Sequence, residues 1–206
     1  MPRSIHTRNA RLKLGLVPLL AAFILAIISL PSSASAQDHP VKNEFGLWFG
    51  GQAGNGHAVG SIANSRFYLI DARYGRLFFM NRSVALRYIA EAIPLSVLGD
   101  PRGSQRIYSY GAGASPAGVQ VNLLRFGRVQ PFLTAGGGFL YFNRQVFRAT
   151  RFNFTAQLGA GVQLFMSRHR TIDLVYRYHH ISNANLGPYN PGMDSHLLLV
   201  GVSFLR

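Results

Sequence analysis

Apolar and polar residues alternate along several segments of the chain, and the segment FNFTAQLGAGVQLF shows this most clearly. Phe152, Phe154 and Leu158 share one parity, whereas Asn153 and Gln157 share the other. Successive side chains of a β-strand point to opposite faces, so this period of two predicts a two-faced strand. Its length is also sufficient to cross a membrane as part of a barrel.

The same alternation recurs in eight segments. They are residues 44–52, 66–80, 83–93, 107–124, 129–142, 152–165, 170–182 and 195–204. Past the N-terminal region, no segment contains the roughly 18 consecutive apolar residues of a membrane helix. The pattern predicts an all-β fold, an eight-stranded antiparallel transmembrane β-barrel, since closure leaves no exposed strand edge.

The connections between these segments alternate in length. Residues 53–65, 94–106, 143–151 and 183–194 form long connections, while NR, RFGR and SRH form short ones. Barrels of the outer membrane have long loops outside and short turns facing the periplasm. The loop lengths therefore favour the same architecture. Pro116 interrupts the alternation of its segment and predicts a β-bulge there.

Charged residues in three of the segments share the parity opposite to the apolar face. They are Asp71, Arg73, Arg87, Glu91, Asp173 and Arg177. These acids and bases could pair inside a narrow lumen, where an unpaired charge is costly. The apolar parity would then face lipid.

Alternation does not by itself decide which face is outside, because a soluble barrel directs its apolar face inward. Residues 129–142, 152–165 and 195–204 contain no Asp, Glu, Lys or Arg. A water-facing exterior could hardly be built from such segments. The membrane barrel is favoured, and a soluble ligand-binding barrel is the alternative.

The first 36 residues have the features of a secretory signal peptide. Four basic residues precede the apolar run at 14–30, and the small residues ASA follow at 34–36. We therefore expect residues 37–206 to form the exported barrel domain, with an uncleaved membrane anchor as the alternative.

Composition narrows the set of partners. The chain has 21 Lys and Arg against 7 Asp and Glu, and no cysteine, which excludes disulfides and thiolate metal sites. Dispersed arginines on an exported chain argue against nucleic acid and favour anionic lipid or lipopolysaccharide. The histidines lack a clear set of carboxylate companions, so we assign no metal and no cofactor. The oligomeric state is not predicted.

The segment YRYHHISNANLGPYNPGMDSH, residues 176–196, concentrates polar side chains where the pattern is otherwise apolar. His180 and Ser182 continue the apolar parity and should face lipid. Neighbouring on one strand face, they could act as base and nucleophile in acyl transfer. Asp194 opens the last strand and could orient the imidazole. A structural interpretation is also open, because such residues are ordinary at the rim of a barrel.

Two other histidines belong to this segment. His179 has the opposite parity and is predicted to form hydrogen bonds in the lumen. His196 shares the outward parity near Asp194 and is a weaker alternative base.

The motif H-x-S-N at residues 180–183, followed by NPG at 190–192 and an acid at 194, resembles the signature of the outer-membrane lipid A 3-O-deacylase family. The resemblance implies an eight-stranded barrel with a His-Ser-Glu triad on its lipid-facing surface, at the outer leaflet. By this resemblance Ser182 would attack a 3-O-linked acyl ester of lipid A, His180 would transfer the proton, and Asn183 would help to hold the oxyanion. Asp194 stands where the family typically has Glu.

Three arginines lie in the third of the four long connections and could dock the phosphates of lipid A, for which guanidinium groups are suited. They are Arg144, Arg148 and Arg151. Simple solvation is the alternative for these residues. For the whole chain, the alternative to an esterase is a structural or interaction barrel without catalysis.

Overall fold

A computed structural model describes residues 41–123 and 125–206. The eight strands are β1 Asn43–Gly56, β2 Arg66–Met80, β3 Ala85–Arg102, β4 Gln105–Asn122, β5 Val129–Phe142, β6 Phe152–Ser167, β7 Arg170–Ser182 and β8 Met193–Leu205. Each strand pairs antiparallel with the next, and β1 pairs with β8, so the sheet closes into a barrel. The predicted eight-stranded antiparallel fold is confirmed. The predicted signal peptide, residues 1–36, lies outside the described residues.

None of the described residues forms a helix long and apolar enough to cross a membrane.

The alternation of β6 separates polar from apolar side chains as its sequence predicts. Asn153, Thr155 and Gln157 are buried inside, whereas Phe154 and Leu158 are exposed on the outer surface. A polar interior and an apolar exterior are the reverse of a water-soluble barrel. The exterior of this strand is therefore built for lipid.

An ion cluster fills the middle of the lumen. Arg177 is fully buried, and its Nη2 atom lies 3.1 Å from Asp71 Oδ2 and 2.8 Å from Glu91 Oε1. Gln157 donates a further hydrogen bond to Glu91. Because each carboxylate and the guanidinium has a charged partner, the cluster offsets much of the cost of removing these groups from water.

The predicted pairing of three acids with three bases is partly wrong. Asp173 forms no ion pair within the part of the chain that the structure describes; it accepts hydrogen bonds from Trp48 Nε1, at 2.8 Å, and from two hydroxyl groups. Glu44 takes its place, with Arg73 at 3.9 Å and Arg87 at 3.6 Å. Glu44 lies in the first predicted segment and shares the inward parity of β1 with Trp48, so its side chain points into the lumen.

An apolar cluster closes the lumen at the end that carries the long loops. Two of its residues, Val146 and Phe147, come from the loop between β5 and β6, which folds inward over the barrel. The strand ends contribute Phe67, Leu98, Phe142, Ile181 and Met193. The loops at this end are therefore packed onto the barrel and can hold side chains in defined positions.

The connection between β3 and β4, predicted to be a long loop at residues 94–106, is short. Strand β3 continues to Arg102 and β4 begins at Gln105, so a two-residue turn with Gly103 in the left-handed region joins them. Pro94, which suggested the end of a strand, lies at a register shift between Ile93 and Ser96. A proline is tolerated at such a bulge because no ladder hydrogen bond is lost there.

The predicted bulge at Pro116 is confirmed by the register shift between Ala114 and Ala117. The three long loops that remain are residues 57–65, 143–151 and 183–192. They share one end of the barrel, because each follows a strand that runs towards that end.

Candidate active site

Two adjacent histidines on β7 lie on opposite sides of the barrel wall. His179 is fully buried in the lumen, where its ring stacks on Phe67 with centroids 5.3 Å apart. His180 points outward, and its side chain is 17% exposed. The predicted orientations are confirmed. Neither ring nitrogen of His179 bonds to another described residue, so its hydrogen-bonding role stays a prediction.

Asp194 reaches His180 directly. The two residues are cross-strand partners between β7 and β8, and His180 Nδ1 lies 2.6 Å from Asp194 Oδ1. Side chains at directly opposed positions start about 5 Å apart, a gap that the short Asp and the imidazole span together. The missing methylene relative to Glu is therefore no obstacle to this contact.

The contact also selects the tautomer of a neutral imidazole. A carboxylate only accepts hydrogen bonds, so a neutral His180 would carry its proton on Nδ1 and its lone pair on Nε2. Within the described part of the chain, Nε2 has no hydrogen-bond partner. His180 is thus oriented as a base whose reactive nitrogen is available.

Ser182 lies two residues beyond His180 on the same outward face and pairs with Phe154 of β6. The rise of an extended strand separates their Cα atoms by about 7 Å, which makes the two side chains neighbours. Ser182 is partly exposed, and its hydroxyl has no hydrogen-bond partner in the described chain. Side-chain rotation can close the remaining gap, since catalytic hydrogen bonds are often open before substrate binds.

The second carboxylate oxygen of Asp194 is held by a neighbouring loop. The backbone N–H groups of Val59 and Gly60 donate to Oδ2 at 2.8 and 2.9 Å. The next N–H along this loop, that of Ala58, donates to the Tyr178 hydroxyl at 3.2 Å. Sequence reasoning missed these residues, because a backbone donor leaves no mark in residue type.

Asn183 organises the loop that follows β7. Its backbone N–H donates to Asn190 Oδ1 at 3.0 Å, its Nδ2 donates to the Tyr189 carbonyl at 2.9 Å, and its Oδ1 accepts the N–H of Asn185 at 3.0 Å. The side chain is buried. The backbone N–H and one of the two Nδ2 hydrogens are therefore engaged inside the loop. The oxyanion contact of Asn183 stays a prediction.

The three predicted substrate-binding arginines lie together on the loop at 143–151. Arg144, Arg148 and Arg151 are all exposed. Thr150 of this loop packs beside Gly187 of the loop after β7. The arginines therefore stand on the loop next to the one that carries Ser182 at its base.

His196 is engaged away from the candidate pair. Its Nδ1 lies 2.6 Å from the Tyr176 hydroxyl, and its ring stacks on the same tyrosine. A phenol does not orient and charge-stabilise an imidazole as a carboxylate does, so His196 lacks the partner that His180 has. No cluster suited to a metal ion occurs among the described residues.

Comparisons with known proteins found a matching family and barrels of similar fold. A sequence model of the family described as lipid A 3-O-deacylase (PagL) matches residues 71–203, more than half of the chain. A comparison with curated protein sequences found no match. The crystal structure of the outer membrane enzyme PagL is similar, with a TM-score of 0.57 at 16% identity, over 77% of this chain and 97% of that one.

Two further crystal structures are similar to the barrel. Neisserial surface protein A has a TM-score of 0.46 at 14% identity, over 80% of this chain and 96% of its own. The attachment invasion locus protein Ail of Yersinia pestis, solved with sucrose octasulfate, has the same score and identity over 81% of this chain and all of its own.

Proposed function

Because the chain belongs to the lipid A 3-O-deacylase family, we propose that Ser182 acts as the nucleophile that hydrolyses the ester of the 3-O-linked acyl chain of lipid A. Membership of this family makes the chain an ester hydrolase that acts on lipid A in the outer membrane. The observation that carries the finer proposal is the 2.6 Å contact between His180 and Asp194, on the same outward face as Ser182.

The arrangement suits a two-step acyl transfer. His180 Nε2 takes the proton of the Ser182 hydroxyl as Oγ attacks the ester carbonyl, and the ionised Asp194 stabilises the resulting imidazolium. When the tetrahedral intermediate collapses, the ester C–O bond breaks and the imidazolium gives its proton to the departing sugar oxygen, which leaves as a hydroxyl. Water, activated by the same imidazole, then cleaves the acyl-serine and releases the fatty acid.

A site on the outward face has an advantage for this substrate. An acyl ester of a membrane lipid can reach Ser182 by lateral movement, without leaving the bilayer. The site lies at the end of the barrel with the long loops, which in such barrels is the extracellular end. We place the reaction in the outer leaflet, with residues 1–36 as the signal for export.

The exposed arginines at 143–151 are proposed to dock the phosphates of lipid A. Guanidinium groups bind phosphate oxygens through paired hydrogen bonds. Their loop packs against the loop after β7, so a headgroup held there would remain near the ester.

The test uses the purified chain in detergent micelles with lipopolysaccharide. We expect release of a 3-hydroxy fatty acid and a lipid A mass lower by one acyl group, measured by mass spectrometry. Ser182→Ala should abolish release. Ser104→Ala is the matched control, since it makes the same chemical change at an exposed turn on the same end of the barrel.

Three results would each contradict part of the proposal. Equal release by Ser182→Ala would exclude Ser182 as the nucleophile, and no release by the unaltered chain would favour a barrel without catalysis. Release of an acyl group from another position would retain the esterase and reject the 3-O assignment.

A further inference from the structure

The loop between β1 and β2 runs alongside the end of the loop between β7 and β8. The backbone N–H of Ser61 donates to the Pro191 carbonyl at 2.8 Å, and its hydroxyl donates to the same carbonyl at 2.7 Å. The N–H of Ile62 donates to the Gly192 carbonyl at 3.2 Å. The two loops are thus joined just before Asp194.

Two glycines face each other where these loops meet. A Cβ atom on Gly60 would lie 2.8 Å from both Gly192 C and Met193 N, closer than side-chain atoms approach backbone. Gly192 has a φ of +61°, and a Cβ there would lie 3.1 Å from His180 Cε1. Any larger residue at position 60 must therefore push the first loop away from β8.

This contact brings two backbone donors to the outward side of Asp194. Although Asp194 belongs to the lipid-facing parity, its side chain is fully buried because the first loop covers it. A carboxylate in such a place is costly unless hydrogen bonds replace its water. The Val59 and Gly60 N–H groups supply these bonds at Oδ2, which leaves Oδ1 directed at His180.

We propose that residues 57–62 are a positioning loop for the candidate triad, with Gly60 as its critical residue. The loop holds the Asp194 carboxylate in the rotamer that orients His180, and no contact with substrate is required. The inference rests on the proposed function, since it assigns a role within the same site.

The principal variant is Gly60→Ala, with Gly54→Ala as its matched control. A Cβ at Gly54 would meet nothing nearer than His196 Cδ2 at 3.9 Å, so this substitution leaves the loop in place. We expect Gly60→Ala to lower kcat about 10- to 100-fold, as small misplacements of catalytic groups do. Its KM should change less than about twofold because the loop does not bind substrate, and Gly54→Ala should match the unaltered chain.

A double-mutant cycle separates positioning from general damage to the loop. If Gly60 acts through the carboxylate, Gly60→Ala should lower kcat less than about twofold in an Asp194→Asn background. An undiminished loss in that background would overturn the proposal.

A second measurement does not depend on activity. The proton shared between His180 Nδ1 and Asp194 should give a far-downfield proton resonance in micelles containing ¹⁵N-histidine-labelled protein. We expect it in the unaltered chain and in Gly54→Ala, and its loss or upfield shift in Gly60→Ala. Persistence of the resonance in Gly60→Ala would overturn the positioning role, whether or not the chain proves to be an esterase.

Ser61→Ala covers the case in which Gly60→Ala does not fold. It removes only the hydroxyl bond to Pro191 and introduces no clash. A smaller fall in kcat, about 2- to 5-fold, with the same dependence on Asp194 is expected. Full activity in Ser61→Ala with an unchanged resonance would contradict the proposal. A chain that is inactive throughout but shows the expected resonance changes would instead reject the proposed function alone.

Discussion

The lumen and the outward face of the barrel each contain buried charged side chains, and the two regions stabilise them in different ways. In the lumen, Arg177 is enclosed by the side chains of Asp71 and Glu91, which come from strands on other parts of the wall. On the outward face, Asp194 is enclosed by His180 and by the main chain of a loop. Closure of the barrel secures the first set, whereas the second depends on a loop packed against it.

The ion cluster of the lumen therefore contributes to stability, whereas the outward pair is available for chemistry. In the lumen, Arg177 is paired with Asp71 and Glu91, and all three side chains are buried away from any substrate. The outward pair leaves one imidazole nitrogen free beside a partly exposed hydroxyl. Variants of the two regions should therefore affect different measurements.

The largest effect is expected from breaking the outward pair. Asp194→Asn retains the size of the side chain but presents an amide that no longer stabilises the imidazolium, so kcat should fall about 10⁴-fold. Urea unfolding in micelles should show little change. Asp100→Asn makes the same change at another buried Asp, which lies 2.7 Å from Arg102; it is the control and should retain activity. A loss of less than tenfold in Asp194→Asn would argue against a triad.

The second largest effect is expected from removing the cation of the ion cluster in the lumen. Arg177→Met leaves Asp71 and Glu91 buried without their shared cation and should lower the free energy of unfolding by about 3–5 kcal/mol. Activity per folded molecule should stay near that of the unaltered chain. Arg82→Met, at an exposed turn, is the control for loss of an arginine. Unchanged stability in Arg177→Met would mean that the cluster is not needed to hold the barrel together.

The smallest effect concerns the loop arginines. Arg148→Gln should raise KM for lipopolysaccharide about two- to fivefold at low salt, because exposed charge pairs contribute little and are screened by ions. The difference should shrink as salt is added. Arg128→Gln, exposed at the short-turn end, should leave KM unaltered. Equal effects of the two variants would indicate a response to overall charge instead of docking at the loop.

Much of the fold follows from residue type alone. The period of two identifies the strands, and the position of charged residues on one parity identifies the lumen. The same rule directs His180 outward and His179 inward. The two-residue turn between β3 and β4 could not be foreseen, because Pro94 normally ends a strand and only its place at a bulge allows the ladder to resume.

The site shows a second limit of sequence reasoning. His180, Ser182 and Asp194 carry recognisable chemistry, but Val59 and Gly60 contribute only N–H groups, which every residue except proline has. Asn183 illustrates the converse: its amide suits an oxyanion, yet the loop already engages one of the two Nδ2 hydrogens. Which polar groups are free depends on loop packing, and that is a property of the folded chain.

The most direct test of the account compares the two adjacent histidines. A long-chain alkyl phosphonyl fluoride should react with Ser182, whose Oγ displaces fluoride, and intact mass followed by peptide sequencing would locate the adduct. We expect one adduct on Ser182 in the unaltered chain and in His179→Phe, and none in His180→Phe. An adduct at another residue, or loss of labelling in His179→Phe with retention in His180→Phe, would contradict the assignment of the outward face as the site of chemistry.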